Sequence, residues 1–180
     1  MRSGEAMDNL VLYKLVGEVR QQCRFAEIGF RELRGALPAM DSERVFFHVH
    51  SFLACAAAVS CWLWPKRPES AERGNRLRAE LKVEDQSPLK LGGVRDPLAR
   101  EDEQMEDWIT GLENPNYVDM NVMALGTMAG TKEDTFHRDL DPEHLRFRHR
   151  GVEFDLRQIS DELRKLQAAA DIWQRTHNPW

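Results

Sequence analysis

Apolar residues recur at alternating steps of four and three over the first long stretch: Leu12, Val16, Val19, Cys23, Ala26, Phe30, Leu33 and Leu37. That 3.5-residue period marks a helix packed lengthwise against others and predicts a helix from about Asp8 to Leu37. Lys14, Glu18, Gln21, Glu32 and Arg34 fall on its other face, and Pro38 ends it. Residues 1–7 read as a short flexible start. A second helix is predicted to about Trp64, capped by Asp41 or Ser42. It is apolar nearly all round, the signature of a buried central helix. Its small residues Ala54, Ala56, Ala57, Ala58 and Ser60 let neighbours approach closely. Pro65 and Pro68 stop it, and a shorter helix follows over about Ser70 to Leu81.

Beyond a loop at Val83 to Ser87, Gly92 and Gly93 disfavour a continuous helix. Asp96-Pro97 is a helix-start signal, because Asp96 can accept from free backbone N–H groups and Pro97 suits the first helical position. Leu98, Met105, Trp108, Ile109 and Leu112 form an apolar seam, with acidic Glu101, Asp102 and Glu103 in its first turns, where the helix dipole favours them. Asn114 to Thr131 reads as loop. Phe136 to Leu140 and Leu145 to Arg150 read as strands joined at Asp141-Pro142-Glu143. Gly151 permits a further turn into the alternating Val152, Phe154 and Leu156. Leu156, Ile159, Leu163, Leu166, Ala170 and Trp173 mark a last helix. The expectation is mainly α: one domain over residues 1–180, an antiparallel bundle of four to five long helices. A small antiparallel hairpin or meander at about 135–156 precedes the last helix.

Length and composition fit a single folded domain: 180 residues, 42% hydrophobic and 31% charged. A net charge of −5 excludes a generally basic nucleic-acid coat, so any polyanion site must be a local patch. No secretory signal opens the chain. Val45 to Trp64 is the only stretch of membrane-span length. Its His48, His50, Ser51 and Ser60 favour a bundle core, so no membrane contact and a cytoplasmic location are expected. Cys23, Cys55 and Cys61 lack zinc-ligand spacing and read as reduced thiols.

The run Phe46 to Trp64, the basic Arg73-Gly74-Asn75-Arg76-Leu77-Arg78, then Val94-Arg95-Asp96 and Glu103-Gln104-Met105-Glu106-Asp107-Trp108 resembles an uncharacterised bacterial branch of the HEPN-like proteins. The likeness of pattern covers most of the chain. It implies an α-helical bundle, a homodimer, and a role in toxin–antitoxin or phage-defence systems. Many such proteins are metal-independent ribonucleases with an Arg, four to six residues, then His. Arg95 and Asp96 match that opening as the candidate catalytic pair. Where the resemblance implies His, this chain has Arg100, and no His lies between His50 and His137.

The departure matters chemically. Cleavage by attack of the 2′-hydroxyl needs groups that take and return a proton. Histidine titrates near neutrality; arginine stays charged and can only hold phosphate. Arg95 with Arg100 therefore reads as a phosphate or RNA clamp, as a structural ion pair of Arg95 with Asp102 or a partner-chain carboxylate, or as a site in which catalysis survives. Arg73 and Arg76, three apart on one helix face, could line a cleft near Arg95, with a solvated helix face as the plainer reading.

Arg146, Arg148 and Arg150 share a strand face, either as an RNA-backbone stripe or paired with Arg138, Asp139 and Glu153 across the hairpin. His48 and His50 point to different sides of a helix. His137, His144 and His149 lack a zinc pattern, so neither a metal nor any other cofactor is expected. Trp62 and Trp64, two apart, leave one ring free for a dimer surface.

The sequence therefore predicts a HEPN-like interaction protein without ribonuclease activity, binding itself, a partner protein, or RNA or nucleotide phosphate. Two alternatives stand beside it. One is an active metal-independent endoribonuclease using Arg95, with Glu101, Asp102 or a hairpin histidine such as His137 or His149 moving the proton. The other is a structural subunit with no ligand.

Overall fold

The computed structural model describes residues 2–91, 101–113, 116–124 and 135–179; side chains are described from residue 9 onward, except that of residue 101. Helix α1 runs Arg2–Ala36 and passes through a 3-10 turn, Leu37–Ala39, into α2, Ser42–Leu63. A second 3-10 turn, Pro68–Ser70, leads into α3, Ala71–Leu81. Helix α4 is Glu101–Gly111. The strands are β1 (Asn121–Val122), β2 (Arg138–Asp141), β3 (Arg146–His149) and β4 (Val152–Asp155), and α5 closes the fold over Leu156–Thr176.

The heptad reading of α1 is borne out by burial. Leu12, Val16, Val19, Cys23, Ala26, Phe30 and Leu33 are all buried. Leu37 falls in the 3-10 turn and is only partly buried. Helix α1 starts at Arg2, ahead of the Asp8 start that the apolar period predicts. Asp41, not Ser42, caps α2, accepting from the Arg44 N–H at 3.1 Å. The seam of α5, Leu156 to Trp173, is buried at every predicted position, and Asp155 caps it, accepting from the Gln158 N–H at 2.8 Å.

Helices α1 and α2 form a hairpin, and α5 packs along another side of α1. Phe30 of α1 meets Phe52 of α2 with ring centroids 5.3 Å apart, beside Gly29, whose missing Cβ lets the Phe52 backbone come close. The Arg20–Asp171 ion pair and the Gln174 amide, which donates to the Tyr13 carbonyl at 3.3 Å, tie α1 to α5. Sheet and α2 meet at Phe46 and Phe147, 6.1 Å apart. Helix α2 is the one described helix long and apolar enough to cross a membrane, and half of that window is buried inside the fold.

The sheet corrects the expectation of a strictly antiparallel hairpin. Its order is β1-β2-β3-β4; the β2–β3 and β3–β4 pairs are antiparallel, while β1 runs parallel to β2. Strand β1 is two residues long, too short to show a period, and comes from a stretch that reads as loop. The turn between β3 and β4 has φ of 47° at Arg150 and 80° at Gly151, the double positive φ of a two-residue type I′ hairpin. The β2–β3 turn is held by Asp141. Its carboxylate accepts the Glu143 and His144 N–H groups at 2.9 and 3.1 Å and lies 2.8 Å from His144 Nδ1. These bonds outweigh its burial and hold the Asp141 carboxyl below the usual range.

Candidate functional site

The densest group of chemistry-bearing side chains lies where α4 meets the sheet. His137 precedes β2 and is 5% exposed. Its ring stacks on Trp108 of α4 at 5.4 Å, and Tyr117 stands edge-on at 6.1 Å. The His149 ring, on β3, is 5.2 Å away. His137 Nδ1 lies 3.2 Å from Asp119 Oδ1. Arg138 grips that carboxylate in a fork, donating from Nε at 2.8 Å and from Nη2 at 2.5 Å. Burial pushes the Asp119 carboxyl up, but the Arg138 bonds and charge, the Met120 N–H and His137 outweigh it and hold the carboxyl down to about 2.

This arrangement fixes an imidazole against an anion, as proton-transfer chemistry requires, and also closes both histidines away from solvent. His137 and His149 were singled out from the sequence. Asp119, Trp108 and Tyr117 were not seen as their neighbours. Asp119 and Tyr117 sit in an aperiodic stretch, and Trp108 read only as seam. The weak signal available was the carboxylate of Asp119 in an otherwise unexplained loop.

The sheet arginines resolve toward pairing. Arg148 lies across from Asp139 on one side and Glu153 on the other, and Arg146 across from Asp141 and Asp155. Arg146 reaches Glu153 at 3.0 Å and Arg148 at 4.0 Å. Arg150 leaves the ladder because it occupies the turn. The three do not make a stripe for an RNA backbone: four carboxylates flank the first two arginines on the same face.

Arg73 and Arg76 do share a surface. Both line a cavity of about 300 Å³ between α1 and α3, with Glu69, Glu72, Val11, Leu12 and Leu15. The Arg73 guanidinium sits 5.0 Å from the Trp62 ring centroid. Two carboxylates in the same cavity counter the pair. Arg78 is structural: it donates to the Leu63 carbonyl and to Asn75 and pairs with Asp85 at 3.0 Å. Arg95, Asp96 and Arg100 lie outside the described residues. So does the predicted helix start at Asp96-Pro97. His48 and His50 diverge as expected, with His48 edge-on to Phe47 and His50 against Phe147. No group of three or more metal-binding side chains occurs among the described residues.

No family model matches this chain, and no curated protein or solved structure shows a significant similarity to it.

Proposed function

We propose that this chain is a HEPN-like, cytoplasmic interaction protein that works as a homodimer and does not cleave RNA. Arg95, Arg100, Arg73 and Arg76 are then left to hold phosphate or a partner's carboxylates. The observation that carries self-association is the outer face of α2. The helix is apolar around its circumference, yet Phe47 is 66% exposed, and Ser51, Ala54 and Ala58 follow it at helical spacing. Ser51 donates its hydroxyl to the Phe47 carbonyl at 2.8 Å, so even its polar group is satisfied within the helix.

Helix phase places Phe25 and Ile28 of α1, both nearly half exposed, on the side of the hairpin that α5 and the sheet leave open. A face two helices wide and as long as α2 covers about 650 Å², close to the ~800 Å² per partner of a standard interface. A second copy supplies the same face by symmetry, with Phe47, Phe25 and Ile28 set among the polar Lys14, Glu18, Gln21 and Glu32 of α1.

Light scattering tests the dimer. The expected mass is twice 20.9 kDa, falling to 20.9 kDa in the Phe47→Glu, Ala54→Arg double variant. Monomer at every concentration, or association with lipid vesicles in place of a second copy, overturns it. The absence of cleavage rests on Arg100, which cannot relay a proton. Incubating mixed RNA with pure protein in EDTA leaves it intact on this reading, and products with cyclic ends overturn it.

A second reading has one observation in its favour. His137 lies beside Asp119 and stacks on Trp108 of α4, the helix that follows Arg95 and Arg100 in the chain. An endoribonuclease built this way loses cleavage equally on Arg95→Ala and His137→Ala.

A further inference from the structure

A different cavity, between the last turns of α1 and the first turns of α5, carries a site that none of the readings above assigns. It measures about 380 Å³ and is lined by Glu27, Phe30, Arg31, Arg34, Gly35, Ser160 and Arg164. The residues recur at helical spacing, 27, 31 and 34 on α1 and 160 and 164 on α5, so two helix faces converge on one space. We propose that this cavity binds the phosphate group of a ligand of nucleotide size.

Three guanidiniums surround one cavity, and their internal partners leave donors over. Among the described residues Arg31 pairs with its neighbour Glu32, at 3.4 Å, and Arg164 with Asp161 one turn away. Arg34 forms no ion pair among the described residues. A guanidinium presents five N–H donors and a single carboxylate engages at most two, so each arginine retains a fork for phosphate oxygens.

The remaining walls fit the rest of such a ligand. Phe30 offers an apolar surface, and Gly35 has nothing within 4 Å of where a Cβ would stand, so the rim is open there. Ser160 and Glu27 can take hydroxyl or amino hydrogens. Inorganic phosphate alone would leave Phe30 and Glu27 unused. The volume falls within the ~300–1,000 Å³ of small-molecule sites. The lining includes no α2 residue, so the Phe47→Glu, Ala54→Arg variant leaves the cavity's own side chains unchanged.

Calorimetric titration of the full chain with ADP, pyrophosphate and adenosine tests the proposal. ADP binds, adenosine binds at least about tenfold more weakly, and Arg34→Gln weakens ADP by about tenfold while circular dichroism stays unchanged. Arg31→Gln acts in the same direction, and Arg175→Gln, at the far end of α5, leaves binding as it was. A further arm uses a 5′-phosphorylated trinucleotide. Tighter binding than ADP assigns the phosphate to an RNA end, and weaker binding assigns it to a free nucleotide. Adenosine binding as well as ADP, an Arg34→Gln variant that binds as well as the parent, or no binding of ADP or the trinucleotide overturns the site.

Discussion

Gly74 of α3 lies under Pro65: a Cβ added to it would stand 2.5 Å from Pro65 Cδ and 2.7 Å from the Leu63 carbonyl oxygen. Neither neighbour can yield, one being a ring fixed in the chain and the other backbone. The glycine thus sets how closely α3 approaches the end of α2. Gly74→Ala is expected to cost about 2–3 kcal/mol by overpacking, despite the better helix propensity of alanine. Gly35→Ala, with open space around it, is expected to gain up to about 1 kcal/mol. Urea denaturation of both variants checks the contrast.

The Asp119–Arg138 fork makes stability depend on acid. The folded carboxyl titrates at about 2 against an ordinary 3.8, so its contribution is complete above pH 4 and is lost as pH falls through 2. With the side chain 27% exposed, solvent screening limits the contribution to about 1 kcal/mol. Asp119→Asn should be less stable than the parent near neutrality and should converge with it at strongly acid pH, as read by thermal melts across that range.

The turn at Arg150 carries a left-handed backbone on a residue with a Cβ. Arg150→Asn or Arg150→Gly keeps the type I′ geometry with less strain and is expected to gain about 1 kcal/mol. Arg150→Val is expected to lose at least as much, because a β-branched side chain resists positive φ. Denaturation midpoints of the three variants test the order.

Thiol reactivity should separate the cysteines. Burial pushes the Cys23 thiol up to about 12, and it lies 1% exposed on the inner face of α1. Burial also raises the Cys55 thiol, which remains half-buried on α2. In native protein a thiolate reagent should label Cys55 slowly and leave Cys23 unmodified until denaturant is added. Mass spectrometry of the labelled peptides reads this, and native labelling of Cys23 would contradict the packing of α1.

The last helix cap gives a local test of the sheet–helix junction. Asp155 both ends β4 and caps α5 through the Gln158 N–H. Asp155→Ala is expected to cost about 1 kcal/mol, and Asp155→Ser to recover most of it. Equal stability of the alanine and serine variants would remove the cap from the account.

Long amphipathic elements were legible because their evidence repeats. Seven apolar positions in α1 and six in α5 fix both the helix and its inward face, and the burial of those seams follows from a period that nothing nearby contradicts. The α4 seam was read with less success. Met105, Trp108, Ile109 and Leu112 are only half-buried, and Trp108 stacks on His137 beside the sheet. The candidate site was legible only in pieces. His137 and His149 stood out by residue type, but their meeting depends on β2–β3 register, and Asp119 reaches them from a loop with no spacing rule.

By itself the sequence determined the helices, their buried stripes, a cap at Asp41 or Ser42, and the unusual Arg100, since each is written in local period or local chemistry. Tertiary structure alone decided the parallel β1–β2 pair, the cluster of Trp108, Tyr117, Asp119 and His137, and the convergence of Arg31, Arg34 and Arg164. These contacts join residues far apart in the chain. Chain spacing carries no information on such distances until packing has closed the loops between them.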